Sequence, residues 1–230
     1  MVDWKEIWSR ERAIPDEKPN LEFLIEADGF NSGAGRIGED AWKAYTSSIS
    51  KLAGIREQDA LFEIGSGSGA FLYDFYKKGH TVGGIDYSPS LIDLARFAMP
   101  HMDFHVQEAI HLDPEPEYDF VVANSVFQYF PSYDYAAEVI RQMYRKSKRT
   151  LALLDLNDLD HAEEALRIRK GALSSGEYEK KYSGLDHLFY EREFVSRVLK
   201  DQDATVRIFD QQIENYGNNK FRFNVVIEKW

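Results

Sequence analysis

Glu63-Ile64-Gly65-Ser66-Gly67-Ser68-Gly69 is the stretch that decides the fold of this 230-residue chain. It follows the apolar run Ala60-Leu61-Phe62 and leads into Ala70-Phe71-Leu72-Tyr73-Asp74-Phe75, whose apolar residues recur at helical spacing. That pattern is strand, glycine turn, helix. Glycines let the backbone bend sharply and approach a ligand closely, because no Cβ stands in the way. The following helix points its free N–H groups at whatever sits over the turn. A nucleotide-like cofactor is the expected occupant.

Gly65, Gly67 and Ala70 also satisfy the relaxed dinucleotide spacing, so the turn alone does not name the cofactor. Glu63 shifts the balance towards S-adenosylmethionine: a carboxylate there repels a pyrophosphate and attracts an ammonium. Downstream, Thr81-Val82-Gly83-Gly84-Ile85-Asp86 reads as a second strand ending in an acid. Asp86 suits a pair of ribose hydroxyls, which NAD and S-adenosylmethionine share. Asp103 to Ala109 reads as a third strand ending in an acid, and Tyr118 to Asn124 as a fourth, apolar and β-branched, closing on polar Asn124-Ser125.

In these motifs the chain resembles class I S-adenosylmethionine-dependent methyltransferases, especially the small-molecule group with ubiquinone- and menaquinone-biosynthesis and polyketide O-methyltransferases. The motifs are the acid-x-Gly-x-Gly-x-Gly run from Glu63 to Gly69, Asp86 followed by Tyr87-Ser88, Glu108-Ala109, Tyr118-Asp119-Phe120-Val121 running to Tyr129, and the apolar strand Leu151 to Asp155. The likeness covers roughly residues 40 to 160 plus a C-terminal hairpin. It implies an α/β, Rossmann-like, seven-stranded, mostly parallel sheet of order 3-2-1-4-5-7-6. Strand 7 would be antiparallel, with helices on both faces. It also implies that Glu63, Gly65, Ser66, Gly67, Gly69, Asp86, Tyr87, Ser88, Glu108, Ala109, Asn124 and Ser125 surround the cofactor, with Glu108-Ala109 beside the adenine.

The pass along the chain agrees. Strands are expected near 60–64, 81–86, 103–107, 118–124 and 150–156, and helices near 69–79, 88–98 and 133–147, with Ser88-Pro89 as a helix entry. This alternation argues for a parallel sheet covered on both faces. Asp3 to Arg12 reads as an amphipathic helix with Trp4 and Trp8 on one face, Ala13 to Asn20 as a connector, Phe30 to Arg36 as a glycine-rich loop, and Glu39 to Ala53 as a helix. Asp160 to Ala172 and Glu191 to Lys200 are expected helices, Ser174-Ser175-Gly176 is a break, and Tyr178 to Tyr190 resists assignment. Thr205 to Asp210 and Phe221 to Glu228 are the closing strands. One methyltransferase domain over 1–230 is expected, with an N-terminal helical lid (1–53) and a substrate-lid insertion (about 157–190).

The net charge of −11 disfavours binding to bulk nucleic acid. With no cysteine, disulfides, thiolate metal sites and cysteine nucleophiles are excluded. The start lacks a signal-peptide pattern and no run is long enough to span a bilayer, so a cytoplasmic protein without membrane partners is expected. Asp155 and Asp158 imitate part of a carboxylate metal cluster but form no complete set, so no metal is expected. The oligomeric state, monomer or homodimer, is left open.

Ligands of open α/β sheets bind beyond the carboxyl ends of the strands, which places the acceptor beside Asn124 and the segment Ser125 to Phe130. Tyr129, Phe130, Tyr190 and Arg222 are the candidate substrate residues, and Asp155 and His187 the candidate catalytic ones. His187 stands between Asp186 and Glu191, and neighbouring carboxylates would raise its basicity. Arg36, after three small residues, is a candidate for the cofactor's carboxylate or a substrate acid. The expected activity is methyl transfer to a small molecule, to a hydroxyl or carboxylate oxygen, by in-line displacement with positioning and exclusion of water. The competing classes are an NAD-dependent oxidoreductase and a non-catalytic S-adenosylmethionine-binding protein.

Overall fold

The computed structural model describes residues 4–30, 36–171 and 185–230. Seven strands form one sheet in the order β3-β2-β1-β4-β5-β7-β6. They are β1 (Leu61–Ile64), β2 (Val82–Asp86), β3 (Asp103–Val106), β4 (Tyr118–Asn124), β5 (Ser147–Asn157), β6 (Ala204–Asp210) and β7 (Arg222–Lys229). The first five pair in parallel, and β7 runs antiparallel to both β5 and β6. This is the order and polarity that the sequence motifs imply.

Both faces are covered because neighbouring strand residues point opposite ways. Leu61, Val82, Phe104, Phe120 and Val122 join one core with Trp42, Ile49, Phe71, Phe75, Ile92 and Ala95. Those partners come from α3 (Glu39–Leu52), α4 (Ala70–Lys77) and α5 (Pro89–Ala98). Phe62, Ile64, Val121, Ala123, Leu151 and Leu153 join the other, with Val139, Ile140 and Met143 of α6 (Tyr133–Lys146) and Val195 of α8 (Phe194–Val198). Central strands buried on both faces read as near-continuous apolar runs, as β1 and β4 do.

Around this frame lie α1 (Trp4–Trp8), α2 (Leu21–Ala27) and α7 (Ala162–Gly171). Helix α2 is absent from the sequence reading, which runs the connector to Asn20 and leaves the next residues unassigned. Asn20 caps it, its Oδ1 accepting from Phe23 N–H at 2.9 Å, and Leu21, Leu24 and Ile25 are its buried face. The serine cap expected at Ser88 is also different: its side chain makes no capping bond, and its backbone N–H instead donates to Asp86 Oδ1 (2.8 Å). The break at 174–176, and residues 31–35 and 178–184 of the expected loop and unassigned stretch, lie outside the described residues.

Candidate active site

The glycine turn crosses from β1 to α4 in a conformation that most side chains disfavour. Gly65, Gly67 and Gly69 have φ of +66°, +53° and +86°, the left-handed region natural to glycine. At Gly67 space matters as much: a Cβ would lie 2.4 Å from Asp28 Oδ1. The turn is held from two sides. Gly67 N–H donates to Asp86 Oδ2 (3.0 Å), while Ser68 N–H and Ala70 N–H donate to Asp28 Oδ1 (2.6 Å) and Oδ2 (3.3 Å). Asp28, just past the end of α2, therefore sits over the turn and the start of α4.

Beyond the turn opens a cavity of about 550 Å³. Its walls include Glu63, Gly65, Ser66 and Gly67 from the turn, Asp86 and Tyr87 from the end of β2, and Glu108 and Ala109 after β3. Asn124, Ser125, Tyr129 and Phe130 line it after β4. Twelve of the expected cofactor and substrate residues thus share one hollow. Asn124 Oδ1 accepts from Tyr45 O–H (3.0 Å). Ser125 has φ +58°, and its carbonyl and hydroxyl both accept from Gln128 Nε2 (2.9 and 2.8 Å).

The turn side of the cavity is acidic. Asp28, Glu63 and Asp86 all line it, Asp28 half-buried and the other two buried. Burial raises the Asp28 carboxyl to about 7, against the lowering pull of its bonds to Ser68 and Ala70. Burial, then the charges of Asp28 and Asp86, push Glu63 well above the usual carboxylate range. Asp86 is raised by burial despite its bonds to Ser88 and Gly67. Glu63 Oε2 is buried with no hydrogen-bond partner among the described residues. Three clustered acids, one with an idle oxygen, form a receptor for a cation.

The opposite wall is aromatic. Trp4 and Trp8 of α1 line the cavity, with ring centroids 4.9 and 5.7 Å from that of Tyr129. Helix α1 is tied down at several points. Tyr87 O–H donates to Trp4 O (3.2 Å), Trp4 Nε1 donates to Asp186 O (3.0 Å), and Lys5 pairs with Glu108.

The remaining expected site residues stand outside the lining. Gly69 is the residue before α4, and Ser88 is spent on Asp86. Arg36 is exposed and lies 3.5 Å from Glu22 Oε1, away from the cavity walls. Asp155, φ +58°, is locked in a buried network: Gln211 Nε2 and Tyr216 O–H donate to its carboxylate (3.2 and 3.1 Å), and Arg222 Nε lies 3.7 Å away. Arg222 also donates to Asn157. Tyr190 O–H donates to Phe127 O (2.7 Å) inside the core beneath.

His187 needs a correction of environment. Cations, not carboxylates, surround it: burial, then the charges of Arg169 and Arg222, lower its pKa to about 3. Arg169 Nη1 lies 3.2 Å from His187 Nδ1. A guanidinium only donates, so Nδ1 is the acceptor and the ring's single proton is on Nε2. Nε2 is buried and unpartnered among the described residues, so the ring offers a hydrogen-bond donor rather than a base. It stacks on Trp4 at 4.6 Å and meets Tyr129 edge-on at 5.2 Å.

Residues 62–150 match a family model described as a methyltransferase domain. They contain the glycine turn, Asp86 and the strand leading to Asn124. That segment, about two fifths of the chain, is thus similar to methyltransferase domains. Among curated proteins, this chain is 27% identical over 81 residues to malonyl-[acyl-carrier protein] O-methyltransferase 1 of Ilyobacter polytropus, covering 33% of this chain and 30% of that one. It is 30% identical over 106 residues to a nonribosomal peptide synthetase of Metarhizium robertsii, covering 42% of this chain and 1% of that one. The chain thus spans less than a third of the length of either. Among solved structures, magnesium protoporphyrin IX methyltransferase from Synechocystis PCC 6803 with bound SAH superposes with a TM-score of 0.61 at 16% identity, covering 90% of this chain and 98% of that one. Among the described residues no helix of the chain is long and apolar enough to cross a membrane.

Proposed function

We propose that this chain binds S-adenosylmethionine in the 550 Å³ cavity and transfers its methyl group to an oxygen of a small molecule, one already ionised, such as a carboxylate. The observation that carries the cofactor reading is the idle, buried Glu63 Oε2 beside Asp28 and Asp86, a trio suited to an ammonium and hostile to a pyrophosphate. When bound, the cofactor supplies an electrophilic methyl on a sulfonium. Asp86 would accept from the ribose hydroxyls and Glu63 from the amino group, with Glu108-Ala109 beside the adenine.

The acceptor reading rests on His187. Outside the lining but packed against its Trp4 and Tyr129 walls, a ring fixed as a donor and lying in the field of Arg169 and Arg222 favours an anion nearby, one that needs no deprotonation. The acceptor would lie along Asn124, Ser125, Tyr129 and Phe130, under Trp4 and Trp8, whose rings exclude water and face a sulfonium favourably. Helix α1 and the segment at 185–190 would act as the lids. Calorimetric titration with S-adenosylhomocysteine and with NADH, followed by methyl transfer to paired panels of carboxylic acids and alcohols, tests this. Binding of NADH alone overturns the cofactor, and turnover of alcohols alone overturns the ionised acceptor.

A further inference from the structure

Asp28 belongs to none of the sequence motifs, yet it takes the most contested position in the cavity. A helix N-terminus behind a glycine turn is where a phosphate or carboxylate ligand would lie. Here the N–H groups of Ser68 and Ala70 are already given to Asp28 (2.6 and 3.3 Å). The carboxylate is close enough to Gly67 that a Cβ there would strike it. The same carboxylate lines the hollow beside Glu63, whose Oε2 is buried and unpartnered among the described residues. The Asp28 carboxyl thus fills the anion site, and a bound cation would draw out its negative charge.

We propose that Asp28 is a specificity-determining residue: it anchors the α-ammonium of the cofactor together with Glu63, and by occupying the helix start it bars phosphate-bearing nucleotides from the turn. This rests on the cofactor reading above. A ligand with an ammonium gains two charge-assisted hydrogen bonds, whereas a pyrophosphate finds its donors taken and two carboxylates opposing it.

The test compares wild type with Asp28→Asn and Asp28→Ser, both neutral, the first keeping an oxygen that can accept from Ser68 N–H. Two ligands are titrated by calorimetry: S-adenosylhomocysteine, and 5′-methylthioadenosine, which keeps the nucleoside but lacks the amino-acid part. Loss of one charged hydrogen bond is expected to weaken S-adenosylhomocysteine by about 10- to 100-fold in both variants. Affinity for 5′-methylthioadenosine should stay within about twofold, which also shows that the variants are folded. ADP should bind more tightly to the variants than to wild type. Unchanged S-adenosylhomocysteine affinity, or a parallel loss of both nucleosides in both variants, overturns the role of Asp28. Failure of wild type to bind either nucleoside overturns the cofactor reading itself and this role with it.

Discussion

The acid over the glycine turn makes a prediction about the ligand-free protein. Asp28 titrates at 3.8 when unperturbed and at about 7 when folded, chiefly because burial penalises its charge. The folded chain therefore holds this proton more tightly than the unfolded chain. The stability contribution is complete below the unfolded value and is lost as pH rises through the folded one. At about 1.4 kcal/mol per pKa unit, the loss between about pH 4 and pH 7 comes to roughly 4 kcal/mol, then levels off. Asp28→Asn removes the titration. Its amide oxygen keeps the bond from Ser68 N–H, while the longer bond from Ala70 N–H is forfeited for about 1 kcal/mol. The variant should match wild type near about pH 5 and exceed it by roughly 3 kcal/mol above about pH 8. Glu63 and Asp86 titrate in both proteins, and because the Asp28 charge helps raise Glu63, its removal eases Glu63 ionisation in the variant and widens the gap in the same direction. Urea unfolding with equal m-values, at a series of pH values, measures the gap. A gap that does not widen with pH refutes the reasoning. Saturating S-adenosylhomocysteine should narrow it, because only the wild-type carboxylate is repaid by the ligand's ammonium.

Three further outcomes are expected. Asp86→Ala should raise the dissociation constant for S-adenosylhomocysteine by about 30-fold or more, through loss of charged bonds to the ribose and of the brace on Gly67 N–H; calorimetry showing unchanged affinity would remove Asp86 from the site. Gly67→Ala, forced to φ +53° with its Cβ against Asp28, should lower stability by about 1–3 kcal/mol in urea and abolish measurable nucleoside binding; a stable variant that still binds contradicts the account of the turn. His187→Gln should slow turnover while leaving cofactor affinity and the shape of the pH–rate profile between about pH 5 and 8 unchanged, because the ring is already neutral there. A moved acid limb in that profile would restore His187 as a titrating base.

What the sequence made legible follows from how local each signal is. The strand–turn–helix at 61–77 and the strand-end acids are written in consecutive residues, and the sheet order follows from their succession. Asp28 was invisible because its role depends on a bond 40 residues away to Ser68. Its one local hint, the Pro19-Asn20-Leu21 entry to α2 followed by Leu24 and Ile25, was legible but too short to stand out from the connector before it. His187 misled for the same reason: the adjacent Asp186 and Glu191 suggested a carboxylate partner, but the chain folds Arg169 and Arg222 onto the ring instead. Arg36, after three small residues, reads in the sequence as able to reach a ligand carboxylate, yet it pairs with Glu22 on the surface.

The five residues of α1 join what other elements keep apart. Through Tyr87 and Glu108 the helix leans on the nucleoside side of the hollow, and through Asp186 and the His187 ring it leans on the acceptor side. If the cavity holds the cofactor as proposed, lifting this one small bar would open both sides together, so that spent cofactor and methylated product would share a single exit event and the rate of that opening would cap turnover.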